Sequence, residues 1–167
     1  GGGDFYHDFR MLATSFALAD NRILDISNVT MTQFYFDGGS GSVLYVKDAA
    51  EFNLTNVSVT DNNNRTAYGS VRVVGDGKVT FSDSDFSGNR GEDGVAAHFV
   101  GAPTLTITGS NFHDNPSNHD GGALKIDGGS VTIEDSTFDS NSATNAGGAI
   151  YAIQPDTLDI SNSRFIN

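Results

Sequence analysis

The sequence predicts an all-β fold, a parallel β-helix (solenoid) in which short strands wind into stacked coils. Two observations carry that prediction. An apolar–polar–apolar triplet recurs every 26–28 residues, and an Asn, Asp or Gly follows each triplet at one fixed distance. A constant period of this length marks a quasi-one-dimensional fold whose units contact only their neighbours. The pattern divides the chain into an irregular N-terminal coil or cap, residues 1–23, and about six coils of three short strands each, residues 24–167.

The first strand of each coil opens with Leu24/Ile26, Phe52/Leu54, Val79/Phe81, Leu105/Ile107, Val131/Ile133 and Leu158/Ile160. Alternation with polar residues is the mark of a strand with one buried face. Two positions later stand Asn28, Asn56, Asp83, Gly109, Asp135 and Asn162. These residue types best tolerate the left-handed αL conformation, so a bend is expected at the same place in every coil. The second strand offers the inward pairs Val29/Met31, Val57/Val59, Ser84/Phe86, Ser110/Phe112, Ser136/Phe138 and Ser163/Phe165. Asn62, Asn89, Asn115 and Asn141 then follow the last inward residue at one spacing. Amides one strand apart can bond to each other in a ladder. A polar loop of varying length leads to a third strand that opens on glycine, as in Gly94-Val95-Ala96, Gly122-Ala123-Leu124 and Gly148-Ala149-Ile150. Turns such as Asp127-Gly128-Gly129 close the coil.

Composition limits the function classes. The apolar share is 37 %, but twelve Phe and five Tyr on a regular pattern argue against disorder. The net charge is −12 with only nine Lys and Arg, so the basic footprint of a nucleic-acid binder is missing. No apolar run is long enough for a transmembrane helix, and direct membrane insertion is not expected. Without Cys there is no disulfide, thiol or Cys-zinc chemistry. The Gly1-Gly2-Gly3 start and the break in the repeat at Asn167 suggest a segment of a longer chain.

The alternation of Phe86…Asn89, Phe112…Asn115 and Phe138…Asn141 with Gly121–Leu124 and Gly147–Ile150 resembles the repeats of chlamydial polymorphic outer-membrane proteins. It is also similar to a wider set of right-handed parallel β-helix repeats in large secreted and surface proteins, the pectin lyase-like fold. The resemblance spans residues 24–167. It implies right-handed winding, export, and a passenger-domain or adhesin role, and it brings no catalytic residues.

Candidate chemistry is sparse. Asp-rich turns offer hard oxygen ligands, which makes Ca²⁺ the ion to consider at Asp83, Asp85, Asp135 and Asp139. No other cofactor is expected. A β-helix polysaccharide lyase or hydrolase would need clustered carboxylates, usually beside a basic residue. The outward Asp25 and Asp159 lie five coils apart, and no Lys or Arg converges on the turn carboxylates in sequence register. His98, His113 and His119 invite a metal site, but the spacing of His113 and His119 around their loop matches none, so solvent-exposed loop histidines are the simplest reading. Four sequons place acceptors at Asn28, Asn53, Asn56 and Asn64, with the loop residue Asn64 the best placed if the source is eukaryotic.

The expected role is therefore structural or adhesive: a rigid rod in a large extracellular or cell-surface protein, and not an enzyme. Its partners would be other segments or copies of the parent protein, a host or cell-surface protein, or a glycan. The variable loops between second and third strands carry the contacts in this reading, through Asn64, Arg65, Tyr68, Arg90, Glu92, His113, Asn118 and His119. The alternative is a carbohydrate-active β-helix enzyme or polysaccharide-binding module.

Overall fold

The structure, a computed structural model, describes residues 12–14, 22–36, 43–65 and 68–167. Three parallel sheets of six strands each form its walls. The first sheet runs from Ile23–Ser27 to Thr157–Ser161, and the second from Thr30–Thr32 to Arg164–Ile166. The third runs from Leu12–Thr14 to Ile150–Ile153. Each strand pairs with its equivalent one coil away, Val79 with Leu105 and Leu105 with Val131. Parallel pairing at constant register is what a repeat of nearly constant length enforces.

Two expectations need adjustment. The described residues make five complete coils and the first two strands of a sixth, against the expected six. Thr157–Ser161 and Arg164–Ile166 are not followed by a third-sheet strand, so the last repeat is open. Leu12–Thr14 pairs in parallel with Leu44–Lys47 and extends the third sheet into the stretch assigned to an irregular cap. The other apolar residues assigned there, Phe9, Met11, Phe16 and Leu18, lie outside the described residues.

The core is a set of columns. Phe86, Phe112, Phe138 and Phe165 stack with centroids 4.8, 4.8 and 4.9 Å apart and ring planes within 5°. That separation is the strand spacing itself, because equivalent residues inherit the hydrogen-bonding distance between coils. The bends fall where expected: φ is 57° at Asn28, 52° at Asn56, 50° at Asp83, 58° at Gly109, 50° at Asp135 and 48° at Asn162. The asparagine ladder also forms. Nδ2 of Asn62, Asn89 and Asn115 donates to Oδ1 of the next Asn at 2.9, 3.1 and 2.9 Å. Each Oδ1 also accepts the backbone N–H of the preceding ladder Asn, so a polar column sits inside the wall without loose donors.

Candidate functional site

A polar strip runs along the outer face of the third sheet. Inward Val71 and Val73 flank Arg72, Ala97 and Phe99 flank His98, and Leu124 and Ile126 flank Lys125. Parallel register then sets Tyr45, Arg72, His98, Lys125 and Tyr151 side by side. Four strand spacings make the strip roughly 19 Å long. Tyr68, just before the Val71–Val74 strand, lays its ring 4.2 Å from the Arg72 guanidinium carbon and 5.1 Å from the His98 ring centroid. Tyr45 lies 5.8 Å from the same guanidinium, and Tyr151 5.8 Å from the Lys125 ammonium. All three cation–ring distances are within cation–π reach.

His98 corrects the expectation of an exposed loop histidine: it lies on the Ala97–Val100 strand, is only 3 % exposed, and its Nε2 is 3.0 Å from Asp127 Oδ2. A carboxylate can only accept, so Nε2 carries the proton. Burial, reinforced by the charges of Arg72 and Lys125, holds the His98 pKa below the usual 6.5 despite the opposing pull of Asp127. The ring is therefore neutral at pH 7 with a bare lone pair on Nδ1. That Nδ1, Arg72 Nε and Asp127 Oδ1 are buried and have no hydrogen-bond partner among the described residues.

Beside the strip, two successive loops bring Asp93, His119 and Asp120 together. Lys125 Nζ is 3.0 Å from Asp93 and 3.9 Å from Asp120. His119 Nδ1 is 2.9 Å from Asp93 and 3.1 Å from Asp120. Burial would raise the Asp93 pKa, but hydrogen bonds from Lys125 and His119 outweigh it and leave the carboxyl below 3.8. His119 is raised above 6.5, chiefly by its bond to Asp93. The ligand atoms of Asp93, His119 and Asp120 lie within 4.8 Å of one another, the convergent metal-type group among the described residues. Lys125 already supplies this group with a positive charge.

Over residues 13–167 the chain matches the family described as right handed beta helix region. The chain belongs to this β-helix family. No curated protein and no solved structure matches it significantly. Family membership accounts for the right-handed winding, while the strip is built from this β-helix's own outward side chains.

The β-helix brings together only part of what the sequence nominated. Tyr68 joins the strip, His119 joins the carboxylate cluster beside it, and the Glu92 carbonyl accepts a bond from Ser117 Oγ in the adjoining loop wall. Arg65, Arg90 and Asn118 are exposed on loops. His113 sits on the second sheet, its Nδ1 2.9 Å from Asp114 and its Nε2 3.3 Å from Asp85, with its pKa raised mainly by Asp114. Asp83 and Asp85 line one groove at the first bend, whereas Asp135 lies two coils along. Asp139 pairs in register with His113 and bonds Ser140 Oγ. These four carboxylates do not form a convergent ligand group.

Asn64 is a correction on both of its assignments. It is fully buried, and its Nδ2 donates to the Tyr68 carbonyl and Ser70 Oγ, each at 3.4 Å. Asn63–Asn64 forms a short strand against Tyr35–Phe36, which turns the Asn64 side chain inward and away from any glycan or partner. Asn28 and Asn56 are exposed and bonded to each other at 2.7 Å, while Asn53 is half-buried against Asp25.

Sequence reasoning passed over Tyr45, Arg72, Lys125, Tyr151 and Asp127 as site residues, and reached Asp93 and Asp120 only as the ends of the contact loops Arg90–Asp93 and Pro116–Asp120. A signal existed for the strip: its residues are spaced 27, 26, 27 and 26 apart, at the outward position of the third strand. The carboxylate pair carries the period too: Asp93 and Asp120 stand 27 residues apart, each before a left-handed glycine, Gly94 and Gly121.

Proposed function

We propose that this chain is a rod-like recognition segment of an extracellular or cell-surface protein, and that it binds an extended polysaccharide along the outer face of its third sheet. The observation that carries this reading is the register-aligned strip from Tyr45 to Tyr151, flanked by Tyr68. Aromatic rings give a sugar's C–H face an apolar platform, and interleaved polar groups meet its hydroxyls. A rigid sheet holds these groups at a fixed repeat, which suits a polymer of repeating rings. The repeats' likeness to those of chlamydial polymorphic outer-membrane proteins supports export and display.

Catalysis is the second reading, because Asp93 and Asp120 converge beside a lysine. It is the weaker one. Glycoside hydrolysis needs one carboxyl kept protonated, and Asp93 is pulled the other way.

Affinity electrophoresis through gels carrying neutral or acidic polysaccharides tests the proposal. The chain should be retarded by at least one of them. A Tyr45→Ala/Tyr151→Ala variant should lose retardation with an unchanged melting temperature. No retardation in any gel, or full retardation of the variant, would refute binding at this face. Release of new reducing ends during the run would favour the catalytic reading.

A further inference from the structure

We infer that Arg72, His98 and Asp127 form a subsite for the hydroxyls of a neutral hexose, with Tyr68 as its movable wall. The inference rests on the proposed polysaccharide face and narrows its ligand.

Three unpartnered buried polar atoms belong to residues on three adjacent strands of one face: Arg72 Nε, His98 Nδ1 and Asp127 Oδ1. Buried polar atoms without partners are uncommon, since each loses its bonds to water. Here their characters are complementary. Arg72 Nε–H donates. Asp127 fixes the His98 tautomer, so Nδ1 accepts, and Asp127 Oδ1 accepts as well. Neighbouring sugar hydroxyls each donate one bond and accept others, and they match such a set. A carboxylate or sulfate, which only accepts, would meet two acceptors.

Charge points the same way. Lys125 is matched by Asp93 and Asp120, and Asp127 adds a further carboxylate beside His98. With a net charge of −12, the chain repels polyanions over the range set by ionic strength. Arg72 makes no ion pair among the described residues, and the Tyr68 ring, 4.2 Å from its guanidinium carbon, covers one face of the half-buried guanidinium. Tyr68 is 37 % exposed and packs on both Arg72 and His98. A sugar ring reaching the buried atoms must displace the Tyr68 ring or slide beneath it.

Tyrosine emission reads this directly. The chain has five Tyr and no Trp, and Tyr45, Tyr68 and Tyr151 all lie on this face. The probes are linear oligosaccharides of neutral hexoses (glucose, mannose and galactose series) beside oligogalacturonate and oligoalginate. At least one neutral series should change the emission saturably, and the acidic ones should not. Asp127→Asn lets the new amide donate to Nε2 and moves the His98 proton to Nδ1, turning an acceptor into a donor. It should weaken the neutral ligand about ten-fold or more with an unchanged melting temperature. His98→Gln should do the same if it folds. Asp127 is one-third exposed, so its variant stands as the test if the His98 variant does not. Binding of acidic oligosaccharides alone would overturn the ligand class. Neutral binding unaffected by Asp127→Asn would overturn the subsite and leave the polysaccharide face standing. No binding of any probe would overturn both.

Discussion

Asn115 is where the repeat becomes energetics. Its side chain is fully buried, donates to Phe86 O and Asn141 Oδ1, and accepts from Asn89. Asn115→Ala leaves buried partners unmatched and should cost roughly 2–4 kcal/mol in urea unfolding. Asn141→Ala, at the half-buried end of the ladder, should cost less. The histidines separate by environment. The His98 pKa is lowered by burial, so protonation destabilises the fold and its contribution is lost as pH falls below 6.5. His113 and His119 have raised pKa values, so their contributions are complete below 6.5 and fade as pH rises through their folded values. NMR titration of the ring protons should find His98 the last of the three to protonate on acidification. A His119→Gln variant should lose less stability than the parent between about pH 6 and 8.

At the scale of the element, identical motifs do not have identical tolerance. Phe112 has a stacked ring on both sides, and Phe112→Ala should cost about 3–5 kcal/mol. Phe165, half exposed in the last coil, should cost below about 2 kcal/mol. The repeated glycine of the third strand gives a cleaner contrast. A Cβ on Gly122 would lie 1.9 Å from the Gly148 carbonyl oxygen, whereas one on Gly148 would meet nothing closer than 3.4 Å. Gly122→Ala should therefore cost about 3 kcal/mol or more, and Gly148→Ala about 1 kcal/mol or less, by thermal melts. Single-sequence reading made the two glycines equivalent, because the difference lies in the coil that covers one and not the other.

For the whole molecule, a linear stack predicts a gradient of protection. Central coils are covered on both sides, while Leu158, Ile160 and Phe165 in the last coil are 41, 42 and 51 % exposed. Each coil is stabilised mainly by its neighbours. Native-state hydrogen exchange on the 167-residue chain should find the strands from Thr157 onward opening well before those of residues 78–127. Uniform protection along the rod would contradict an additive stack. The elongated face is a consequence of the same stacking: one outward position, repeated in five successive third-sheet strands, becomes a continuous strip.

The sequence alone determined the coil, its three strands, the αL bends, the Phe stack and the Asn ladder. These depend on residues that recur at one period, and a period is visible without coordinates. The same period runs through the outward strip of the third sheet, where it marks position but not which side chains meet. Asp93 and Asp120 stand one period apart, each before a left-handed glycine, but the position of His119 is Glu92 in the preceding coil, and Lys125 reaches the cluster from a strand. Asn64 read as an exposed loop acceptor until a short strand turned it inward. Only the tertiary structure could decide these, because charge pairing and burial depend on distances across coils. Those distances are fixed for the strands by hydrogen bonding, and for the loops by how each one folds over its neighbour.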